Sequence, residues 1–471
     1  MWSAVAVAAA AVGLLAVASG SAGTVIATPI SSDPYTNTSS QHKTQLEPDS
    51  FAYENTIVAT FQTGRFFDGG SSNIGWATST NGGRTWTTGM LPGTTIYQNG
   101  PWARISDPAV AYDPLHDVWM ISGLAIDQNV SGAAILTSRS TDGGLTWQNP
   151  VTTVTSPGTF LDKNWIVCDT WASSPYYGNC YTEWDDSRMS MTTSTDGGLT
   201  WGPVRMPGGG GVGGQPVVQS NGNVIVPYEG GAGIRSFRSI DGGATWLPSV
   251  AVATVSEHGV NGGLRTSPLP SAEVAQDGRV YVAWQDCRFR SGCTANDIVY
   301  STSMDGVTWT APVRVPIDPT DSGVDHFIPG FAVDRNTSGS TTHLALGYYY
   351  YPVSSCNSST CQLTQGFVSS LDNGATWTAP TRVAGPISLA WIASTNQGRM
   401  VGDYESTSFT ADGKAHPVFA WAKPPTGSVF TERAATATFD PTAPQVAPRV
   451  RAGTERPVFR GPGALKLRGA Y

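Results

Sequence analysis

Ten polar residues stand where short apolar runs begin: Asp107, Asp162, Lys163, Gln215, Glu273, Asp325, His326, Arg399, Asp403 and Tyr404. Carboxylates can pass protons or balance a developing positive charge, Lys and Arg can hold oxygens, and a tyrosine can donate a hydrogen bond or attack. Gathered in one place, these types suit a polar ligand such as a sugar. Glycosidic cleavage in particular needs a proton donor to the leaving oxygen and a second group that stabilises or traps an oxocarbenium-like centre. The plainer role for each acid is to cap a strand. From Asp107 onward the starts follow one another at 55, 53, 58 and 52 residues, so only a fold that repeats at that interval can bring them together.

Such a repeat is present. The octapeptide pattern S-x-D-G-G-x-T-W recurs as Ser79–Trp86, Ser140–Trp147, Ser194–Trp201, Ser239–Trp246, Ser303–Trp309 (one residue shorter) and Ser370–Trp377. Its chemistry is that of a hairpin turn, with an Asp that accepts hydrogen bonds from its own turn, glycines that supply positive φ, and a Trp that packs between neighbouring sheets. Ahead of each box lies a first-strand candidate: Thr56–Phe61, Asp107–Tyr112, Asp162–Cys168, Gln215–Gln219, Glu273–Gln276 and Asp325–Val333. A seventh start, Gly398–Ser406, has no box behind it, but His416–Trp421 and Val429–Phe439 supply two more strands and Thr24–Ile30 a fourth. The pattern predicts an all-β chain folded as a single β-propeller of four-stranded antiparallel blades, seven in preference to six, spanning 24–440 and closed by pairing of its two ends.

The composition agrees with many short strands. Charged residues make up 13% of 471, against 54 Gly, 32 Pro and 16 Trp, which excludes a coiled coil, a charged disordered chain and a nucleic-acid-binding surface. The net charge is −8, but residues 441–471 carry six Lys/Arg against one Glu and read as a flexible basic tail, leaving about −13 on the rest. Residues 1–22, an Ala/Val/Leu run ending Ala18-Ser19-Gly20-Ser21-Ala22, read as a signal peptide. No Lys or Arg precedes Lys43, so an atypical anchor is the alternative. Six cysteines permit fifteen pairings, and proximity favours Cys168/Cys180, Cys287/Cys293 and Cys356/Cys361, local bridges across loops in an exported protein.

The octapeptide is similar to the Asp-box, or BNR repeat, and residues 50–440 resemble the Asp-box propellers, of which the bacterial sialidases are the best-known enzymes. Sialidases use a tyrosine nucleophile assisted by a glutamate, an aspartate acid/base and three arginines that clamp the sugar's carboxylate. By that resemblance, Glu273 in Glu273–Tyr281 takes the glutamate's place and Arg288 the second arginine's. Asp68, after Gly64-Arg65, takes the acid/base position, and Arg399 and Tyr404 stand for the third arginine and the nucleophile. Residues 28–64 contain no arginine, and the only Arg-Ile pair near the start, Arg104-Ile105, falls in the second blade.

The expectation is a secreted, sialidase-like glycoside hydrolase acting on terminal sugars of extracellular glycans. Its catalytic residues are Asp68, Glu273 and Tyr404, and Arg65, Asp107, Asp162, Lys163, Arg288, Arg399, Asp325 and His326 contact substrate. The alternative is a non-catalytic propeller that binds glycan or protein at the cell surface. No cofactor motif is found, and the axial acids are also a ligand set for a structural Ca²⁺. Trp102, Trp165, Trp171, Trp391 and the run Tyr348–Tyr351 are aromatic faces on which a sugar could stack, with two of the four tyrosines expected in the core.

Overall fold

The computed structural model describes residues 27–155, 160–186, 188–207, 209–231, 233–443 and 450–451. The expected signal segment lies outside them, as does most of the expected tail, of which Val450–Arg451 pairs antiparallel with Thr376–Trp377. The chain is all-β, and its sheets are antiparallel meanders of the four-stranded kind a propeller uses. Gln41–Tyr53, Thr56–Arg65, Ser71–Ser79 and Thr87–Met90 make the first. Arg104–Asp113, Val118–Ile126, Gly132–Ser140 and Val151–Thr155 make the second. The third has three regular strands, Asp162–Cys168, Cys180–Asp185 and Met189–Ser194, with Arg205 bridged to Met191 outside them. The fourth runs from Val217–Val218 to Leu247–Thr254, the fifth from Ser271–Val274 to Val313–Arg314, and the sixth from Asp325–Val333 to Thr381–Ser388. In the last, Ser406–Phe409, Ala415–Ala422 and Glu432–Thr436 are joined by Thr28–Pro29, with Thr28 opposite Thr436.

Two kinds of contact hold neighbouring sheets together. Apolar side chains from facing sheets interdigitate, as where Val217 and Ile225 pack with Ala272, Val282 and the fully buried Trp284. First strands are also stapled by side chains that accept from the next sheet's backbone: Val110 N donates to Asp49 Oδ2 at 2.8 Å, Ala272 N to Gln215 Oε1 at 2.9 Å and Phe331 N to Ser271 Oγ at 3.0 Å. Each is worth about 1 kcal/mol net, and together they align the first strands of different meanders. One cavity is bordered by the first strand of each of these meanders among the described residues.

The octapeptide turns have the expected chemistry. Asp142 accepts from Ser140 Oγ at 2.8 Å, Thr146 N at 2.9 Å and Thr146 Oγ1 at 2.6 Å, and Gly144 N donates to Ser140 Oγ at 3.0 Å. Partial burial pushes this carboxyl up, but the hydrogen bonds outweigh it and hold it at about 2. Gly144 has φ +80°, and a Cβ there would stand 2.8 Å from Val58, so the glycine also allows the turn to seat on the first sheet.

Three expectations are corrected. The cavity-lining strand of the first meander is Gln41–Tyr53, and Thr56–Arg65 is the second strand. Its polar sequence conceals it, because Gln45, Glu47 and Asp49 are buried with partners supplied by Ser31, Gln62 and Val110 N. In the last meander the lining strand is Ser406–Phe409, while Gly398–Met400 forms a hairpin with Ala393–Thr395. Three tyrosines of the run are buried, not two, because Leu344–Tyr351 is an interior strand covered on both faces; only Tyr350 is half-buried.

The disulfides agree with expectation: all three pairs are formed, Cys168–Cys180, Cys287–Cys293 and Cys356–Cys361, each across a short loop. Cys168 and Cys180 face each other on adjacent strands of the third meander. Cys361 is 3% exposed and belongs to the apolar core with Leu264, Leu363 and Leu389, while Cys356 packs against that core from its edge. Its Sγ lies against Gly262, where a Cβ would stand only 2.7 Å away. Cys361 is therefore a packing residue with no access to ligand, and its bridge ties the Cys356 loop to the interior. A sulfur in a disulfide behaves as an apolar group, which is why burial suits it.

Candidate functional site

The charged residues at the first-strand starts owe their position to a recurring irregularity. Glu47, Asp107, Lys163 and Ile328 have φ of 53°, 49°, 50° and 49°, and at each the pairing with the second strand slips register. A bulge re-aims a side chain and interrupts the ladder. Left-handed backbone at a non-glycine residue costs on the order of 1 kcal/mol, and three of these four positions spend it on a charged group that faces the same end of the axis. Proline follows at 48, 108 and 329.

At that end is a pocket of about 460 Å³. Glu47, Arg65, Asp68, Asp107, Asp162 and Arg265 line its polar side, and Ile126, Val130, Phe160 and Met400 its apolar side. Lys163 N donates to Asp107 Oδ2 at 3.2 Å and to Asp162 Oδ1 at 3.0 Å, so those two oxygens are no more than about 6 Å apart. Burial, then the Asp107 charge, pushes the Asp162 carboxyl up to about 7. The same two causes hold Glu47 at about 7. Glu47 accepts from Gln62 Nε2 and Asp403 N, and Ser106 Oγ links Gln62 to Asp107.

Behind this pair is an ion cluster. Asp403, 5% exposed, receives Lys163 Nζ and the Nε–Nη2 edge of the Arg265 guanidinium, with Nε at 2.7 Å from Oδ1. Burial opposes ionisation of Asp403, but Arg265 and Lys163 outweigh it and hold the carboxyl well below its ordinary range; both cations are raised in turn, their desolvation outweighed by Asp403. Arg65 is different. It is 3% exposed, donates through Nη1 to Gln62 Oε1 at 2.9 Å, and makes no ion pair among the described residues. Burial, then Arg265, lowers its pKa. Arg65 therefore offers the pocket donors that no protein carboxylate neutralises.

The structure thus brings together Arg65, Asp68, Asp107, Asp162 and Lys163. Tyr404 is directly below, its Oη donating to Pro108 O at 2.9 Å and its ring meeting Trp165 edge to face at 4.9 Å. Asp68 is exposed and paired with Arg104 at 2.5 Å, which holds it below the usual carboxylate range and therefore ionised. Glu273 is not in this pocket; it borders the axial cavity, where burial raises it to about 8. Arg288 is tied to Asp286 and to Thr254 O, and Arg399 to Ile392 O at 3.0 Å. Asp325 accepts from Asn296 N and faces His258.

His326 lies with Asp297 and Asp318, a group whose ligand atoms are within 4.8 Å of one another. Arg290 reaches those aspartates at 2.5 and 2.7 Å and Arg314 at 2.9 and 2.7 Å. Two guanidiniums neutralise these two aspartates. Glu47 and Arg265 escape the sequence reading. The signal for Glu47 is its proline: Glu47-Pro48 and Asp107-Pro108 are the same acid–proline step at two bulges. Arg265 lies in a loop where its N donates to Arg399 O at 2.7 Å and the neighbouring Leu264 enters the core, and no local pattern marks it.

No protein-family profile matches the sequence, and no curated protein matches it. Among solved structures, the chain is similar to a protein of unknown function from Dyadobacter fermentans (16% identity over 74% of this chain and 98% of the other, TM-score 0.47). It is also similar to the NanB sialidase of Streptococcus pneumoniae (13%, 88% and 70%, TM-score 0.42) and to the intramolecular trans-sialidase of Ruminococcus gnavus (14%, 89% and 99%, TM-score 0.44). Among the described residues no helix is long and apolar enough to cross a membrane.

Proposed function

We propose that the chain is a secreted, seven-bladed β-propeller and a glycoside hydrolase of sialidase-like architecture, cleaving terminal sugars of extracellular glycans at the pocket that holds Asp107 and Asp162. The blade count is supported by the seven first strands that share one cavity and by the Thr28–Thr436 pairing. The observation that carries the activity is the convergence of the Asp107 and Asp162 carboxylates on one backbone N–H. Asp162, held at about 7, donates the proton to the leaving oxygen. Asp107 supplies the second carboxylate, in hydrogen-bond reach of Asp162, so that the two share a proton. Arg65 and the unpaired edge of Arg265 hold sugar oxygens, and Asp68 contacts substrate as an ionised acceptor.

The test is hydrolysis of a panel of aryl glycosides, one sialoside among them. Turnover that is lost in Asp162→Asn supports the reading, and turnover that survives it removes the assigned pair. Saturable glycan binding without turnover of any member would replace the enzyme by the glycan-binding propeller.

A further inference from the structure

The axial cavity is bordered by Trp165 but by neither Asp107 nor Asp162, and only one of its lining residues among those described is cationic. This is Arg335. Its guanidinium lies 4.4 Å from the ring centroid of Trp171 and 6.0 Å from that of Phe51. Trp171 is itself fixed, its Nε1 donating to Val218 O at 2.7 Å. Arg335 makes no hydrogen bond and no ion pair among the described residues. Glu273 borders the same cavity and acts on Arg335 electrostatically, yet stays beyond ion-pair reach. A guanidinium over an indole, bordering a cavity and with no carboxylate on it, is a receptor without its acceptor.

We infer that this chamber is a second ligand site, separate from the mouth, and that it takes a small organic monocarboxylate bound edge-on by Arg335. The fork of a guanidinium matches a carboxylate bidentately, which a halide or a neutral hydroxyl cannot reproduce. Phe51, Phe331 and Val333 give the remainder of such a molecule an apolar wall. The charge balance of the chamber agrees, since burial pushes Asp49 to about 7, Glu273 to about 8 and Glu405 well above its ordinary value, so that Asp49 is about half protonated and the two glutamates largely neutral near pH 7 while Arg335 keeps its charge. A protonated Glu273 would also donate to the carboxylate. Arg335, Glu273 and Phe51 all retain partial exposure, so the chamber is reachable.

Calorimetric titration of the full chain with acetate, L-lactate and benzoate, each beside its neutral amide, tests this. At least one carboxylate is expected to saturate at one per chain and to bind about tenfold or more tightly than its amide, the factor for one charge-assisted pair. Arg335→Met, which keeps the stack but not the fork, is expected to lose that factor, whereas Arg65→Gln at the mouth leaves binding unchanged. Phenylglyoxal labelling of the wild type needs no variant: saturating carboxylate is expected to protect Arg335 at least fivefold. Absence of carboxylate binding, equal binding of the amide, loss in Arg65→Gln instead of Arg335→Met, or an unprotected Arg335 would each overturn the assignment. Because the readout is binding and not turnover, it stands or falls independently of the proposed hydrolase.

Discussion

Replacing Asp403 by Asn is the sharpest perturbation the site allows. The carboxylate is 5% exposed, and the side chains it neutralises, Lys163 and Arg265, are 9% and 17% exposed. An amide keeps the shape but leaves two cations facing each other with one carbonyl oxygen between them, and its own NH₂ turned toward one of them. Removing one partner from a buried ion pair costs about 3–5 kcal/mol. The partial opening at Arg265 argues for the lower end, about 3 kcal/mol, a substantial share of the 5–15 kcal/mol that holds a typical domain together. Urea denaturation followed by tryptophan fluorescence and far-UV circular dichroism measures it. The double variant Asp403→Asn/Lys163→Met is expected to recover at least about 1 kcal/mol, because it removes the surplus charge. The folded carboxyl lies below its unfolded value of about 3.9, so its contribution is complete above roughly pH 4 and is lost as pH falls through the folded value. The gap between wild type and Asp403→Asn is therefore expected to stay constant from pH 5 to 8 and to close in acid. A single-variant cost below about 1 kcal/mol would mean that the cluster is solvated and that the mouth is not held by it.

Other expected outcomes follow from the same structure. Glu47, Asp162 and Glu273 are raised to about 7, 7 and 8, so the folded state holds protons that the unfolded state has released and stability falls as pH rises from about 5 to 8. Glu273→Gln should flatten that slope in pH-dependent urea titrations, and an unchanged slope would count against its burial. The Cys287–Cys293 loop carries Arg288 and Arg290, and Cys287→Ser/Cys293→Ser is expected to cost about 2–3 kcal/mol in the same assay. Breaking a turn by Asp142→Ala removes acceptors for Thr146 N, Thr146 Oγ1 and Ser140 Oγ and is expected to cost about 2 kcal/mol. No measurable cost would make that turn ornamental. On any hydrolysed glycoside, kcat/KM is expected to fall above about pH 7 as Asp162 loses its proton.

The architecture was legible because its turns are repeated and local. Asp142 and its five counterparts bind their own backbone, so the motif specifies the hairpin wherever it occurs. Asp107, Asp162 and Lys163 could be read for a related reason: each opens an apolar run, and the interval between runs is regular. The disulfide pairs were legible from proximity, but not the burial of Cys361, which depends on Leu264 and Leu389 arriving from distant parts of the chain. Glu47 and Arg265 obey no such rule. Glu47 belongs to a strand whose polar residues are buried only because Gln62, Ser31 and Val110 satisfy them from elsewhere in the chain, and burial of that kind has no periodicity. Arg265 reaches Asp403 across 138 residues. The arginines chosen by resemblance, Arg288 and Arg399, have partners outside the pocket, whereas Arg65 lies in it, held by the Gln62 amide and by no ion pair among the described residues.

The central claim is that Asp162 and Asp107 act as one hydrolytic pair, and steady-state kinetics of Asp162→Asn on the best aryl glycoside of the panel tests it most directly. The account predicts a fall in kcat/KM of about 10²–10⁴-fold, with KM little changed, an unaltered circular dichroism spectrum, and loss of the limb above pH 7. Wild-type turnover that survives Asp162→Asn, with that limb intact, would contradict it.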